Sequence, residues 1–257
     1  MSRARPPSLG DYIRGLRERS TEDGGGMTRQ MLATAMHTSV AYVAKLEAGR
    51  AKSPSVSVLQ AISETFELTP HEVRHLYNLA RQTPTERESE PVTDGVGNQI
   101  FDLRERRALD ALNPHPASYL DERWNLIACN SAYDELFPGL VENGNVLRWF
   151  FFGDQSRSIM VDWTDEAKLT VAWFRALMGR YYYADWAQSL LSELNEVPIF
   201  REFWSLGEVS FGRDNPLMKV RHPETREVTT LHVRVYTHID GYGGAGQFYL
   251  GVKLSNR

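Results

Sequence analysis

Apolar side chains recur three and four residues apart through the first eighty positions, and at every second position through the last forty. In SLGDYIRGLRERS, Leu9, Ile13 and Leu16 define one helix face, with Ser8 available as its cap. After a TEDGGG loop, RQMLATAM follows Thr28 and sets Met31, Leu32 and Ala35 on one face. VAYVAKLEA is a third helix, capped by Ser39 and stopped by Gly49. SPSVSVLQAISETFEL is a fourth, with Val58, Leu59, Ile62 and Phe66 inward. TPHEVRHLYNLA opens with Thr69, then Pro70 at the first helical position and Glu72 three residues after the cap. Five short helices of this kind make a complete small helical domain.

A polar stretch with two prolines and two glycines, residues 81–98, breaks the pattern. Beyond it, DLRERRALDAL predicts a helix closed by NPHP, and ASYLDERWNLIACN two extended segments around a polar turn. SAYDELF is a short helix ended by Pro138, and VLRWFFFG reads as a buried extended or irregular run. A long helix starts at Asp162, with Trp163, Ala167, Val171, Phe174 and Met178 inward and Gly179 as its stop. DWAQSLLSEL buries Trp186, Leu190, Leu191 and Leu194; Asp162 and Asp185 stand where caps are expected. LMKVRHP, EVTTLHVRVYTHI and GQFYLGVKL alternate apolar with polar residues and predict three antiparallel strands. The fold class is multidomain: an all-α domain at 8–82, a linker at 83–97, and an α+β domain with an antiparallel sheet at 98–257.

Composition sharpens this division. The net charge of -4 separates into 12 Lys/Arg against 9 Asp/Glu in residues 1–87, and 17 against 24 in residues 88–257. Of the 28 aromatic residues only 4 precede residue 88, and all six tryptophans follow it. A weakly basic helical part and an acidic, aromatic-rich part have different tasks. No apolar run approaches the ~18 residues of a membrane span, and the N-terminus lacks the apolar core of a signal peptide. The single cysteine, Cys129, excludes an intramolecular disulfide and a cysteine-rich zinc site, and its place beside Ile127 in an apolar strand predicts an inert buried thiol. A cytoplasmic protein without membrane contact is expected.

TRQMLATAMHTSVAYVAKLEAGR sets a short helix, a tight turn and a second capped helix in sequence, the helix-turn-helix arrangement. Ser39 leaves Val40, Ala41 and Tyr42 in the first turn of the second helix, where side chains reach base edges, and Lys45, one turn later, is placed to reach a phosphate or a base. Arg29, Arg50 and Lys52 are candidate contacts to the phosphate backbone of a double-stranded operator. Gln30, Leu32, Ala33, Ser39, Tyr42, Leu46, Glu47, Gly49 and Arg50, followed by Pro54 and Leu59, resemble the phage-repressor-like (XRE) helix-turn-helix regulators. That resemblance implies a phosphate contact for Gln30 and a reading surface of Val40, Ala41, Tyr42 and Lys45. The turn departs from it: His37 stands where glycine is usual, and a left-handed backbone costs histidine more. So few basic side chains favour a homodimer reading two half-sites.

The second half resembles the C-terminal domain of MmyB-like regulators through Pro116, Ala117, Tyr119, Trp124, Asn130, Asn145, Leu147 and Phe150. Asp162-Trp163, Phe203-Trp204, His222-Pro223 and Leu231 continue the match. The resemblance implies a PAS-like fold enclosing a hydrophobic pocket for a small apolar or amphipathic molecule, a fatty acid foremost. Trp149, Phe150, Phe152, Trp163, Phe174, Tyr182, Trp204 and Tyr236 are then candidate lining residues, and Arg148, Arg201, His222 and Arg234 candidate head-group contacts. The same aromatics are compatible with plain core packing, in which case the domain is a dimerisation or protein-interaction platform. No enzyme is expected. His222, His232 and His238 lack an accompanying metal motif, GYGGAG at 241–246 lacks the lysine and helix of a phosphate loop, and no GxSxG elbow occurs.

Overall fold

Hydroxyl side chains start the helices of the first eighty residues. Thr28, Ser39 and Ser55 each accept an N–H from the first turn they precede, and Thr69 forms a full capping box with Glu72. The resulting elements are α1 (Leu9–Arg19), α2 (Arg29–Ala35), α3 (Val40–Glu47), α4 (Val56–Thr65) and α5 (Pro70–Ala80). There follow α6 (Leu103–Asp110), β1 (Ala117–Asp121), β2 (Leu126–Cys129), α7 (Ser131–Leu136), α8 (Leu140–Asn143), α9 (Val146–Phe151) and α10 (Gln155–Ile159). The chain ends with α11 (Trp163–Met178), α12 (Asp185–Leu194), α13 (Pro198–Ser205), β3 (Leu217–Arg221), β4 (Val228–Ile239) and β5 (Ala245–Lys253). This computed structural model describes residues 3–19, 26–51, 53–81, 103–181, 184–239 and 245–254. The linker 83–97, Lys52, Tyr182 and most of GYGGAG lie outside the described residues.

The chain forms two compact units that interleave along the sequence. Met1–Thr85, Val171–Asn195 and Arg201–Phe211 make the first; Glu86–Thr170, Glu196–Phe200 and Gly212–Arg257 make the second.

In the first unit, Ile13, Leu32, Val43, Leu46, Ile62 and Leu76 are fully buried between α1–α5. Leu32, Ala33 and Met36 are the buried residues of the α2 region, whereas Met31 is half exposed and Ala35 exposed. The expected face was set one step wrong, because α2 has fewer than two turns and too few residues to define a period. Helices from later in the chain join this core. The Asn195 side chain accepts the Ala4 N–H at 2.7 Å and donates to the Ala4 carbonyl at 2.9 Å. Arg19 donates to the Leu206 carbonyl, Arg74 lies over the Phe211 ring, and the Arg175 guanidinium bonds the Trp204 carbonyl and stacks on its indole.

In the second unit the sheet is antiparallel in the order β2-β1-β5-β4-β3. Two buried asparagines hold its first hairpin to the helices. Asn130 accepts the Ala117 and Tyr133 N–H groups and donates to the His115 carbonyl; Asn145 donates to the Arg123 carbonyl and caps α9 through the Arg148 N–H. α9 replaces the expected extended run. Val146, Leu147, Trp149, Phe150 and Phe151 are all buried, so no polar face marks the helical period in the sequence. Asp185 likewise departs from expectation: Ala184 occupies the cap and Asp185 begins α12, where its charge favours the positive end of the helix dipole. Cys129 is half-buried on an outer strand, and burial raises its thiol to about 11, beyond the range of a reactive thiolate.

Two glycines of α1 make opposite predictions. A Cβ on Gly10 would stand 2.6 Å from the Glu47 carbonyl oxygen and 2.8 Å from that of Leu46, whereas a Cβ on Gly15 meets nothing within 4 Å. Gly10→Ala is expected to lower stability in urea unfolding by about 2–3 kcal/mol, and Gly15→Ala to raise it by about 0.5–1 kcal/mol.

Candidate functional site

The helix-turn-helix is built from α2 and α3. Thr38 N–H returns to the Ala33 carbonyl at 2.8 Å to close the turn, and His37 adopts the left-handed conformation at φ 50 that the sequence assigned to a glycine position. Ser39 Oγ accepts the Tyr42 N–H at 3.1 Å, which fixes the start of α3. Val40, Ala41 and Lys45 are exposed, and Tyr42 is half-buried at the edge of the core. Gln30, Ser39 and Arg50 are exposed as well.

Below this surface lies Glu47, with its side chain fully buried at the end of α3. Arg17 Nε donates to it at 2.5 Å and Arg29 Nε at 2.8 Å, while Arg14 donates to its backbone carbonyl at 2.8 Å. Burial pushes the Glu47 carboxyl up, but the hydrogen bonds and charges of Arg17 and Arg29 outweigh it and hold the group below its ordinary value. Arg29 therefore has a structural partner in addition to its expected place beside DNA.

In the same unit, His75 on α5 is fully enclosed. It meets the Tyr12 ring edge-on at a 5.0 Å centroid distance, and a Cβ on Gly179 would stand 2.9 Å from its ring. Neither ring nitrogen makes a hydrogen bond of ordinary geometry among the described residues. Burial, reinforced by the Arg175 charge, drives His75 down to about 3, and burial brings Arg175 itself to about 10.

In the second unit, aromatic rings pack on one another. Tyr133, Phe137, Trp149, Phe150 and Phe151 follow one another, and Trp163 and Phe200 both meet Phe151, at centroid distances of 4.8–6.3 Å. A polar centre sits within the same unit. Arg213 grips Glu166 with two hydrogen bonds of 2.6 and 2.7 Å, and the Tyr249 hydroxyl donates to Met218 Sδ at 3.8 Å. Burial raises Tyr249 and Tyr133 well above the ordinary phenol range. Among the described residues, an open surface depression of about 630 Å³ is lined by Leu68, Val73, Arg74 and Tyr77, and another, of about 450 Å³, by Arg157, Met160, Trp163 and Arg221. Among the described residues no group of three or more His, Cys, Asp or Glu side chains could hold a metal ion.

Residues 104–240, just over half of the chain, match the family model of the MmyB-like transcription regulator ligand binding domain. The chain belongs to this family. Residues 8–76 match a helix-turn-helix domain model, so the architecture is a helix-turn-helix domain followed by an MmyB-like ligand-binding domain. A search of curated proteins returned no match. Among the described residues no helix is long and apolar enough to cross a membrane.

The residues anticipated for the MmyB-like domain are divided between the two units. Phe174, Arg201 and Trp204 belong to the first unit; Arg148, Trp149, Phe150, Phe152, Trp163, His222, Arg234 and Tyr236 belong to the second. Trp149, Phe150 and Trp163 are core, while Phe152, Tyr236 and Arg234 are exposed. His222 Nδ1 accepts the Glu224 and Thr225 N–H groups and shapes the β3–β4 turn. The polar centre at Glu166 and Arg213 went unpredicted. Glu166 had a signal, because it falls on the apolar face of α11 between Trp163 and Thr170, where a charge needs a buried partner. Arg213 sits in the irregular FGRDNP segment and had none.

His75 sets a pH dependence. Its folded value lies below the ordinary 6.5, so unfolding takes up a proton; stability is full above pH 6.5 and falls as the pH drops toward 3. Between about pH 6 and 5, above the carboxylate range, the slope from this residue is expected at about 1.2 kcal/mol per pH unit. Urea unfolding at stepped pH should show that slope reduced by this amount in His75→Leu.

Proposed function

We propose that the protein is a sequence-specific DNA-binding transcription regulator whose MmyB-like domain senses a small hydrophobic molecule, with a fatty acid as the ligand class. The observation that carries the reading is the capped start of α3, which presents Val40, Ala41 and Lys45 to solvent in a chain that also contains a ligand-binding family domain. The regulator acts as a homodimer on two half-sites, because a helix-turn-helix part with a net charge of +3 (12 Lys/Arg against 9 Asp/Glu in residues 1–87) supplies little electrostatic affinity by itself. It carries out no catalysis.

Regulation is a shift between arrangements of differing operator affinity. The interleaving supports this mechanism: residues 171–195 and 201–211 fall inside the matched ligand-binding region, yet Arg19 on α1 donates to the Leu206 carbonyl, Arg74 on α5 lies over Phe211, and His75 on α5 lies against Gly179. A ligand that alters these helices alters the support of the reading helix through Arg175, Trp204, His75 and Tyr12. The acid head of such a ligand is met by an arginine, and Arg213 in the buried polar centre has the matching bidentate geometry, with Glu166 as the competing carboxylate.

Lys45→Ala should weaken operator binding and reduce the slope of log affinity against log salt by about one, with the thermal midpoint unchanged; a wild-type slope in mobility-shift titrations refutes its assignment as a phosphate contact. Palmitate should change the operator affinity of the wild-type chain, and Arg175→Met should lose that response while retaining palmitate binding. Operator affinity indifferent to palmitate and to other saturating fatty acids overturns the sensor reading.

A further inference from the structure

The outward face of α3 contains little that can form a hydrogen bond. Val43, Leu46 and Glu47 point into the core, and Tyr42 and Ala44 are half-buried. The exposed positions are Val40, Ala41 and Lys45, followed by Ala48 just past the helix. Val40 retains 37% of its surface in solvent, a large exposure for a branched apolar side chain beside a well-packed core. The first two side chains after the Ser39 cap are therefore apolar. These are the positions that enter the major groove in this arrangement. An apolar side chain has one complementary feature on the base edges of that groove, the C5-methyl group of thymine. Guanine and adenine are distinguished there by paired hydrogen bonds, which need arginine, lysine, asparagine or glutamine. Lys45 carries the flexible ammonium of α3, and Arg29, at the start of α2, has its Nε on Glu47.

We propose that Val40 and Ala41 read thymine methyl groups, so that each half-site is specified by apolar contact at its centre while Lys45 and Arg50 anchor the flanking phosphates. This assignment rests on the DNA-binding reading above and names what that surface recognises. Charge and shape agree with it: a small apolar patch bordered by two exposed cations matches methyl groups in the groove floor between phosphate walls. It also accounts for the short side chain at Ala41, since close approach to a methyl group leaves no room for a longer one.

The full chain is used to select duplexes from a random library, and each thymine of the selected half-site is then replaced by deoxyuridine. That change removes the methyl group and leaves every hydrogen-bonding atom of the base pair in place. At least one position per half-site should lose affinity by about fourfold, and the loss should vanish in Val40→Ser or Ala41→Gly. Because the probe alters the DNA, a folding defect in a variant does not obscure the first result. Deoxyuridine tolerated within twofold at every position overturns the methyl reading and leaves DNA binding intact. Failure to enrich any duplex overturns the DNA-binding reading and this inference with it.

Discussion

A carboxylate sealed inside a small helical domain must be paired, and Glu47 is where α1, α2 and α3 settle that requirement together. Its oxygens receive Arg17 and Arg29, and its carbonyl receives Arg14. The nearby absence of a side chain at Gly10 lets α1 approach the Leu46 and Glu47 carbonyls closely. Removing both arginine partners of such a group leaves an uncompensated buried charge, which costs on the order of 3–5 kcal/mol. The angle between reading helix and supporting helix is thus set by directional bonds as well as by the less directional packing of Leu32, Val43 and Leu46.

How much of this was readable in advance depended on whether a residue's role was local. Caps, turn and helix count in residues 8–80 followed from sequence, because Thr28, Ser39 and Thr69 act on amides three residues away. The three C-terminal strands followed because β3, β4 and β5 alternate faces. α9 was lost because burial on every side erases the period that reveals a helix. The site behaved in the same way. Exposure of Val40 and Lys45 was implied by helix geometry, whereas the Glu166–Arg213 pair joins residues 47 apart in sequence, and no spacing rule connects them.

His75 and Arg175 show a related limit. Each is ordinary in its own helix, a histidine in α5 and an arginine on α11. Their significance lies in being enclosed together, the imidazole kept neutral and the guanidinium turned to the Trp204 carbonyl and indole. Buried polar groups with so few partners are costly, and they make the seam they occupy sensitive to small displacements.

The interleaving has a consequence for dissection of the molecule. A protease that nicks the chain between residues 83 and 97 separates two polypeptides on a denaturing gel, but the shorter fragment does not drift away. Asn195 still holds Ala4, Arg19 still reaches the Leu206 carbonyl and Arg74 still lies over the Phe211 ring, and the shorter fragment remains docked as a non-covalent complement of the longer one.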